Sequence, residues 1–399
     1  MSPADQCRRA LEAWTGFSHA LFVQSGTAAL RLALDVLVKR GSWVRVPAIA
    51  CWTLTGAVLD SGCRPVFGDV DRYLGLRGRG MERGDALIGL EPWGTSCDWA
   101  ALAGQEGVRL LDQTLSVHGG WPGRKAAEVF DGSILSLGYG KPFEIGGGGV
   151  LLLRDAALWR EAQSRLHYGR RQMRWVSRTD RYVFPAVIWE QLAARLKLLE
   201  RKRQAQARAR EAWSRRARKS VLPLTVLEPR PGALPGCTVL VPVCLDEGFP
   251  LHARDVFAVA MAEGIPLGIH PVSPAYLEPA GRRLRGACPD AESLASHLLF
   301  LPSDCLDDVT LRRVKGLLEA LERDPETFRR PYAVSASAVR IPAEYAHWCQ
   351  HAIVCRRLDG AFCVHDPLAG RTYRVDASVV RALQEGTGHE VPRTARKRR

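Results

Sequence analysis

The residue with the most evident chemical potential is Lys141, one of eight lysines in the chain. It ends the segment 136–141, Ser-Leu-Gly-Tyr-Gly-Lys, and four consecutive glycines follow at 146–149. A lysine in a glycine-rich turn can approach a carbonyl cofactor closely, and burial of its amine favours the neutral, nucleophilic form. We therefore predict that Lys141 forms a Schiff base, with a purely structural turn lysine as the alternative.

Two phosphate-binding motifs compete with this interpretation, and neither fits. A P-loop needs Ser or Thr directly after its lysine to hold magnesium, but Pro142 follows Lys141. A dinucleotide fingerprint opens a helix, whereas the glycines at 146–149 lead into the apolar run 150–153, which is typical of a strand.

Asp112 and the segment Ser25-Gly26-Thr27 are the features that complete a cofactor site. Asp112 follows the apolar run 108–111, so its carboxylate should lie at the carboxyl edge of a sheet, where it can pair with a pyridinium nitrogen. Residues 25–27 separate a strand from a helix, and a helix N-terminus attracts phosphate. Taken singly, each feature could be an ordinary helix cap. Together with Lys141 they are the three anchors that pyridoxal phosphate requires.

The elements that must position these residues alternate between strand and helix. Short apolar runs at 20–23, 44–47, 65–67, 86–90, 108–111 and 150–153 are interleaved with helical patterns, of which the first spans 27–37. Strands that are apolar on both faces are typical of a mostly parallel sheet covered by helices on both sides. We predict an α/β fold of this kind, followed by a smaller α+β domain.

Composition limits the class of protein. The 399 residues are 46% hydrophobic and 25% charged, which is typical of a soluble globular chain of two or three domains. No apolar run reaches the length of a membrane helix, and the first residues do not resemble a signal peptide, so we predict a cytoplasmic protein that does not bind membranes. The eleven scattered cysteines are expected to be reduced.

The net charge of +14 is concentrated in one segment, because residues 154–219 hold 19 Lys or Arg against 6 Asp or Glu. Such a stripe could contact nucleic acid, a membrane surface or an acidic substrate. No nucleic-acid motif accompanies it, so we interpret it as a solvated helix and predict no nucleic-acid partner.

Several segments resemble the DegT/StrS family of pyridoxal-phosphate sugar aminotransferases. The most specific are 25–30 (SGTAAL), 46–48 (VPA) and 57–71 (AVLDSGCRPVFGDVD), and weaker matches continue through 93–94, 111–112, 118–119, 136–149, 191–192 and 301–303. The resemblance covers about residues 4–325. It implies an aspartate-aminotransferase-like large domain, a homodimer and transamination rather than dehydration, because the family's dehydratases carry histidine where this chain has Lys141.

Carried over by position, the resemblance implies that Lys141 forms the Schiff base and that Asp112 pairs with the pyridine nitrogen. Gly26, Thr27 and Ser136 would hold the phosphate. The aromatic residue that stacks on the ring should fall four residues after Pro47, at Cys51, and we predict that the adjacent Trp52 takes this role.

Two departures from the family pattern concern the substrate side of the site. Leu115 replaces the Gln or His expected three residues after the aspartate, with Gln113 and His118 displaced from that position. The cross-subunit Asn is missing from 177–181 (SRTDR), where Arg178 or Arg181 could bind an anion but are more often solvated surface residues.

The last segment carries a hairpin signal, Asp359-Gly360, between the short strands 352–357 and 361–365. With the strand 371–375 and the helix 378–383, it is similar to PqqD-like modules, a resemblance that implies binding of a precursor peptide. A small stabilising domain is the alternative. The His and Cys residues between 347 and 365 lack a Cys-x-x-Cys pair, so we predict no metal site.

We therefore predict three domains, 1–200 for the large cofactor-binding domain, 201–330 for the small one and 331–399 for the PqqD-like module with its basic tail. The predicted function is a pyridoxal-phosphate-dependent aminotransferase that uses an amino-acid donor and a carbonyl of a (nucleotide-)sugar or natural-product intermediate. One alternative keeps this catalytic core and takes a peptide substrate. The other is a non-catalytic binding or regulatory protein on the same fold.

Overall fold

The computed structural model describes residues 2–78, 85–166, 186–269, 274, 286–330, 348 and 352–385. The helices are Pro3–Thr15 (α1), Gly26–Leu37 (α2), Trp52–Asp60 (α3), Trp99–Ala103 (α4), Ala156–Leu166 (α5), Ala186–Lys219 (α6), Ala253–Ala262 (α7), Pro289–His297 (α8), Asp308–Arg323 (α9), Pro325–Phe328 (α10) and Ala377–Gln384 (α11). The strands are His19–Val23 (β1), Trp43–Pro47 (β2), Arg64–Gly68 (β3), Ala86–Leu90 (β4), Val108–Asp112 (β5), Gly132–Ser136 (β6), Gly149–Leu153 (β7), Leu224–Val226 (β8), Leu240–Leu245 (β9), Leu298–Pro302 (β10), Ile353–Arg356 (β11), Phe362–Asp366 (β12) and Arg371–Arg374 (β13).

A seven-stranded sheet in the order β1-β7-β6-β5-β4-β2-β3 organises the first part of the chain. Strands β3, β2, β4, β5 and β6 run parallel to one another, whereas β7 is antiparallel to both β6 and β1. All five residues of β4, β6 and β7 are buried, which explains their continuous apolar sequence. The predicted α/β fold is confirmed.

The strand order places the residues that the sequence predicts for the cofactor site at one edge of the sheet. Parallel β5 and β6 end at Asp112 and Ser136, and antiparallel β7 begins beside them at Gly149. Gly149 also pairs with Val23, the last residue of β1, so the turn from β1 into α2 reaches the same edge. A Cβ on Gly149 would lie 2.3 Å from the Ser25 carbonyl oxygen, so only glycine allows this approach.

Two smaller sheets have the orders β10-β9-β8 and β11-β12-β13. The second is an antiparallel hairpin plus one strand, as the Asp359-Gly360 turn predicts, and α11 follows it. Cys355 and Cys363 are buried in this sheet and pack against Ala258 of α7. They behave as small apolar side chains, in line with the expectation for the cysteines.

The chain groups into two compact units. Unit 1 comprises 1–212, 226–242 and 271–295, and unit 2 comprises 213–225, 243–270 and 296–399. The predicted domain boundaries at 200 and 330 do not coincide with these groupings. No helix among the described residues is long and apolar enough to cross a membrane.

Asp35 on α2 carries a pH-dependent cost that can be measured. Burial raises its pKa to about 6 despite Arg165, Arg31 and Arg40 nearby, and Oδ2 has no hydrogen-bond partner among the described residues. Because the folded pKa exceeds the unfolded value of about 3.9, the ionised carboxyl destabilises the fold fully above pH 6 and not at all below about pH 4.

Asp35→Asn should therefore raise the free energy of unfolding by about 1 kcal/mol more at pH 7 than at pH 4, after allowance for solvent screening of the half-buried carboxyl. Urea unfolding at the two pH values measures this difference. Glu12→Gln, at an exposed position of α1, serves as control. An equal effect of Asp35→Asn at both pH values would contradict the assignment.

Candidate active site

A cavity of about 250 Å³ lies in unit 1 at the carboxyl ends of β5 and β6. Five of the six residues predicted to bind or act on the cofactor line it: Gly26, Thr27, Asp112, Ser136 and Lys141. These residues are separated by up to 115 positions in the sequence, and the order of the sheet brings them together.

The start of α2 forms the phosphate end of the cavity. Ser25 caps the helix, with its Oγ accepting a hydrogen bond from the Ala28 amide at 3.0 Å. The first amides of a helix have no intrahelical acceptor, and the helix dipole favours an anion beside them. A Cβ on Gly26 would lie 2.8 Å from Cβ of Ser136, so glycine lets the helix start and the Ser136 hydroxyl approach closely. This arrangement fits a phosphate.

Asp112, the last residue of β5, supplies a buried carboxylate to the cavity. It is 6% exposed, and its Oδ1 accepts a hydrogen bond from the Thr114 amide at 2.8 Å. The pKa of Asp112 is raised, because the effect of burial outweighs the opposing effects of the hydrogen bonds from Thr114 and the charge of Lys141. A buried carboxyl of this kind gains stability from a cationic partner. A protonated pyridine nitrogen is such a partner.

Lys141 is held in a short, hydrogen-bonded turn. The Gly140 amide donates to Oε2 of Glu144 at 2.8 Å, and the Glu144 amide donates back to the Lys141 carbonyl at 3.0 Å. Gly140 has a φ of +69°, which favours glycine at this position. Glu144 thus fixes the loop that carries the amine, a role that sequence reasoning did not identify.

Trp52 is not among the residues that line the cavity, whereas its neighbour Cys51 is. As the first residue of α3, Trp52 lies along its own helix, since a Cβ on Gly56 would be 3.9 Å from the indole Nε1. Thr53 also lines the cavity and donates a hydrogen bond from Oγ1 to the Cys51 sulfur at 3.2 Å. The structure therefore brings Cys51 rather than Trp52 to the site.

The segment after Asp112 divides its side chains between this cavity and a second one. Leu115 and Thr114 line this cavity, whereas Gln113 and His118 line the second one. Thr114 is a second residue that sequence reasoning missed. The signal was present, because a residue two positions after an aspartate commonly donates to its carboxylate in a turn.

Five further residues that the sequence analysis weighed, as an anion site or as a metal site, fall outside the described part of the chain. They are Arg178 and Arg181 for the anion site and His347, Cys349 and His351 for the metal site. Among the residues that are described, no group of three potential metal ligands occurs.

The sequence model of the DegT/DnrJ/EryC1/StrS aminotransferase family matches residues 4–322. L-glutamine:2-deoxy-scyllo-inosose aminotransferase of Streptomyces lividus is 30% identical over 167 residues, 39% of each chain. UDP-N-acetyl-3-dehydro-alpha-D-glucosamine 3-aminotransferase of Acidithiobacillus ferrooxidans is 32% identical over 177 residues, 40% of this chain and 48% of that one. The match thus spans less than half of these two relatives.

A solved structure supports the fold independently. A Streptococcus pneumoniae chain in its PLP form superposes with a TM-score of 0.65 at 18% identity, covering 80% of this chain and 92% of that chain.

Proposed function

This chain belongs to the DegT/DnrJ/EryC1/StrS aminotransferase family, and from that premise we propose that it is a pyridoxal-phosphate-dependent aminotransferase. One observation carries the proposal: a buried carboxylate, a loop-held lysine and a helix N-terminus line a single cavity. A non-catalytic protein would not need to keep all three together.

Pyridoxal phosphate, when bound, supplies an electron sink for the bonding electrons released at the substrate carbon. The residues of this chain bind and orient it. Asp112 would keep the pyridine nitrogen protonated, and the first amides of α2 with Ser136 would bind the phosphate. The amine of Lys141 would hold the cofactor at the cofactor's aldehyde carbon and, once free, would carry a proton at the substrate carbon.

The carbonyl substrate is a ketone or aldehyde of a (nucleotide-)sugar or related natural-product intermediate, and an amino acid is the donor. The names of the two relatives support this class, since one is named for a 2-deoxy-scyllo-inosose and the other for a UDP-linked 3-dehydro-glucosamine, and both of these compounds carry a ketone in place of a hydroxyl. We extend the proposal to a cytoplasmic homodimer, as the family resemblance implies.

Visible absorbance tests the proposal. The purified protein loaded with pyridoxal phosphate should show a cofactor band in the visible that shifts when L-glutamine or L-glutamate is added and returns when a keto sugar is supplied. A protein that cannot be loaded and stays colourless would instead favour the non-catalytic alternative.

A second candidate keeps the same site and takes a peptide-borne carbonyl. The observation that favours it is β13, an edge strand of the β11-β12-β13 sheet in which three of four residues are exposed. Exposed edge strands can add a peptide strand, as expected for the PqqD-like module. The same absorbance assay separates the candidates, because here the band should return with a carbonyl peptide and not with a keto sugar.

A further inference from the structure

Unit 1 contains a second cavity, of about 520 Å³, roughly twice the volume of the cofactor cavity. Its walls come from α1, α6 and the loop 118–126, and no residue lines both cavities. The volume lies within the range of small-molecule sites, about 300–1,000 Å³. The size and separation of this cavity raise the question of which ligand it would bind.

Three indoles, those of Trp14, Trp99 and Trp121, belong to the apolar part of the lining, together with Pro122, Leu234 and three alanines. Trp99 is 2% exposed and its Nε1 donates to Glu91 at 2.6 Å, whereas Trp14 and Trp121 are only partly buried. Because Trp121 Nε1 already donates to the Cys97 carbonyl at 3.2 Å, what this indole offers a ligand is ring surface, next to that of Trp14. Aromatic surfaces of this kind favour a flat, apolar ring.

The charged part of the lining carries a positive excess. Arg203 donates to both carboxylate oxygens of Glu200, at 2.9 and 2.6 Å, so these two charges are paired. His118 shares the same carboxylate at 3.0 Å, and burial lowers its pKa, which favours the neutral form. Arg124 and Lys125 remain as net positive charges on the cavity wall.

Arg124 is the better placed of the two for an incoming anion. Lys125 already donates its amine to the Ala13 carbonyl at 2.5 Å. Arg124 makes no side-chain hydrogen bond or ion pair with the part of the chain that the structure describes, and its guanidinium can bind a carboxylate through two parallel hydrogen bonds.

His118 adds an independent sign of a specialised site. Its φ is +60°, a conformation uncommon for a residue other than glycine, and its buried Nδ1 has no hydrogen-bond partner among the described residues. Both features cost free energy, and such costs concentrate at functional sites.

From these features we propose that the second cavity binds an aromatic carboxylate, with its ring against the indoles and its carboxylate on Arg124. This site is distinct from the cofactor site and does not rest on the proposed aminotransferase activity. The segment 112–119 contributes residues to both cavities, which gives a ligand here a direct structural connection to the residues around Asp112.

Isothermal titration calorimetry with 2-naphthoate tests the proposal on full-length protein already saturated with pyridoxal phosphate, so that the first cavity is filled. We expect one binding site per chain and an unchanged cofactor band. Arg124→Glu should weaken binding at least about tenfold, the effect of losing one charge-assisted contact. The uncharged isostere 2-naphthamide should bind wild type about as weakly as 2-naphthoate binds the variant.

Arg160→Glu is the matched control, because Arg160 is an exposed arginine of unit 1 that does not line the cavity. It should bind 2-naphthoate like wild type. Four outcomes would overturn the proposal: absence of binding, equal binding by Arg124→Glu, equal binding of the amide, or displacement of pyridoxal phosphate by the probe. Retention of the cofactor band by Arg124→Glu confirms that the variant is folded.

Discussion

Replacing Lys141 with alanine will abolish transamination, lowering kcat by about 10⁴-fold or more, since one residue serves as both covalent anchor and proton carrier. The substitution should spare the phosphate end of the cavity, where the amides of α2 and Ser136 are untouched. Cofactor should therefore still associate with the variant, more weakly. Its absorbance should no longer resemble that of wild type and should not respond to an amino-acid donor as wild type does.

Absorbance spectra with and without L-glutamate, together with single-turnover assays, measure both effects. Lys39→Ala is the control, because Lys39 is an exposed lysine of unit 1 that lies outside both cavities. Rescue of Lys141→Ala by added methylamine would separate loss of the amine from damage to the loop. A variant that retained wild-type turnover would remove Lys141 from the chemistry and with it the proposed function.

How far such roles could be predicted from sequence depends on whether the signal is local. Strands β4 and β7 could be predicted because burial on both faces leaves a continuous apolar run. Asp112 could be placed because it directly follows Leu110 and Leu111, the buried apolar residues of β5. The helix start at Ser25 was equally local, since a capping serine precedes an apolar periodic segment.

Features that depend on helical phase or on distant packing were not predictable in this way. Whether Cys51 or Trp52 faces the cavity turns on where α3 begins, and a shift of one residue rotates a side chain by about 100°. The second cavity depends on Trp14, Arg124 and Glu200, which are far apart in the chain and meet only after folding. The antiparallel direction of β7, which brings Gly149 to the turn before α2, also follows from the place of β7 between β1 and β6 in the sheet rather than from the strand's own residues.

Asp112→Asn should lower kcat by about 10³-fold while leaving the fold intact. Asparagine has nearly the same shape, and its side-chain oxygen can still accept the hydrogen bond from the Thr114 amide. What is lost is the negative charge that would keep the pyridine nitrogen protonated, and such electrostatic stabilisation in a buried site commonly lowers the barrier by about 3–4 kcal/mol. Steady-state kinetics should show the loss mainly in kcat, because phosphate binding does not involve Asp112.

The stability of the cofactor-free protein should change in the opposite direction. Burial raises the pKa of Asp112, so its ionised form opposes folding at neutral pH, and this cost disappears below the unfolded value of about 3.9. Asp112→Asn removes the cost, so the cofactor-free variant should be at least as stable as wild type at pH 7, measured by urea unfolding, although it is nearly inactive. Glu12→Gln, which replaces an exposed carboxylate of α1, should change neither property. If Asp112→Asn lost both stability and activity, Asp112 would act on the fold. If the variant kept its stability and lost its activity, the carboxylate of Asp112 would lower the stability of the cofactor-free protein and be retained for its effect on the cofactor.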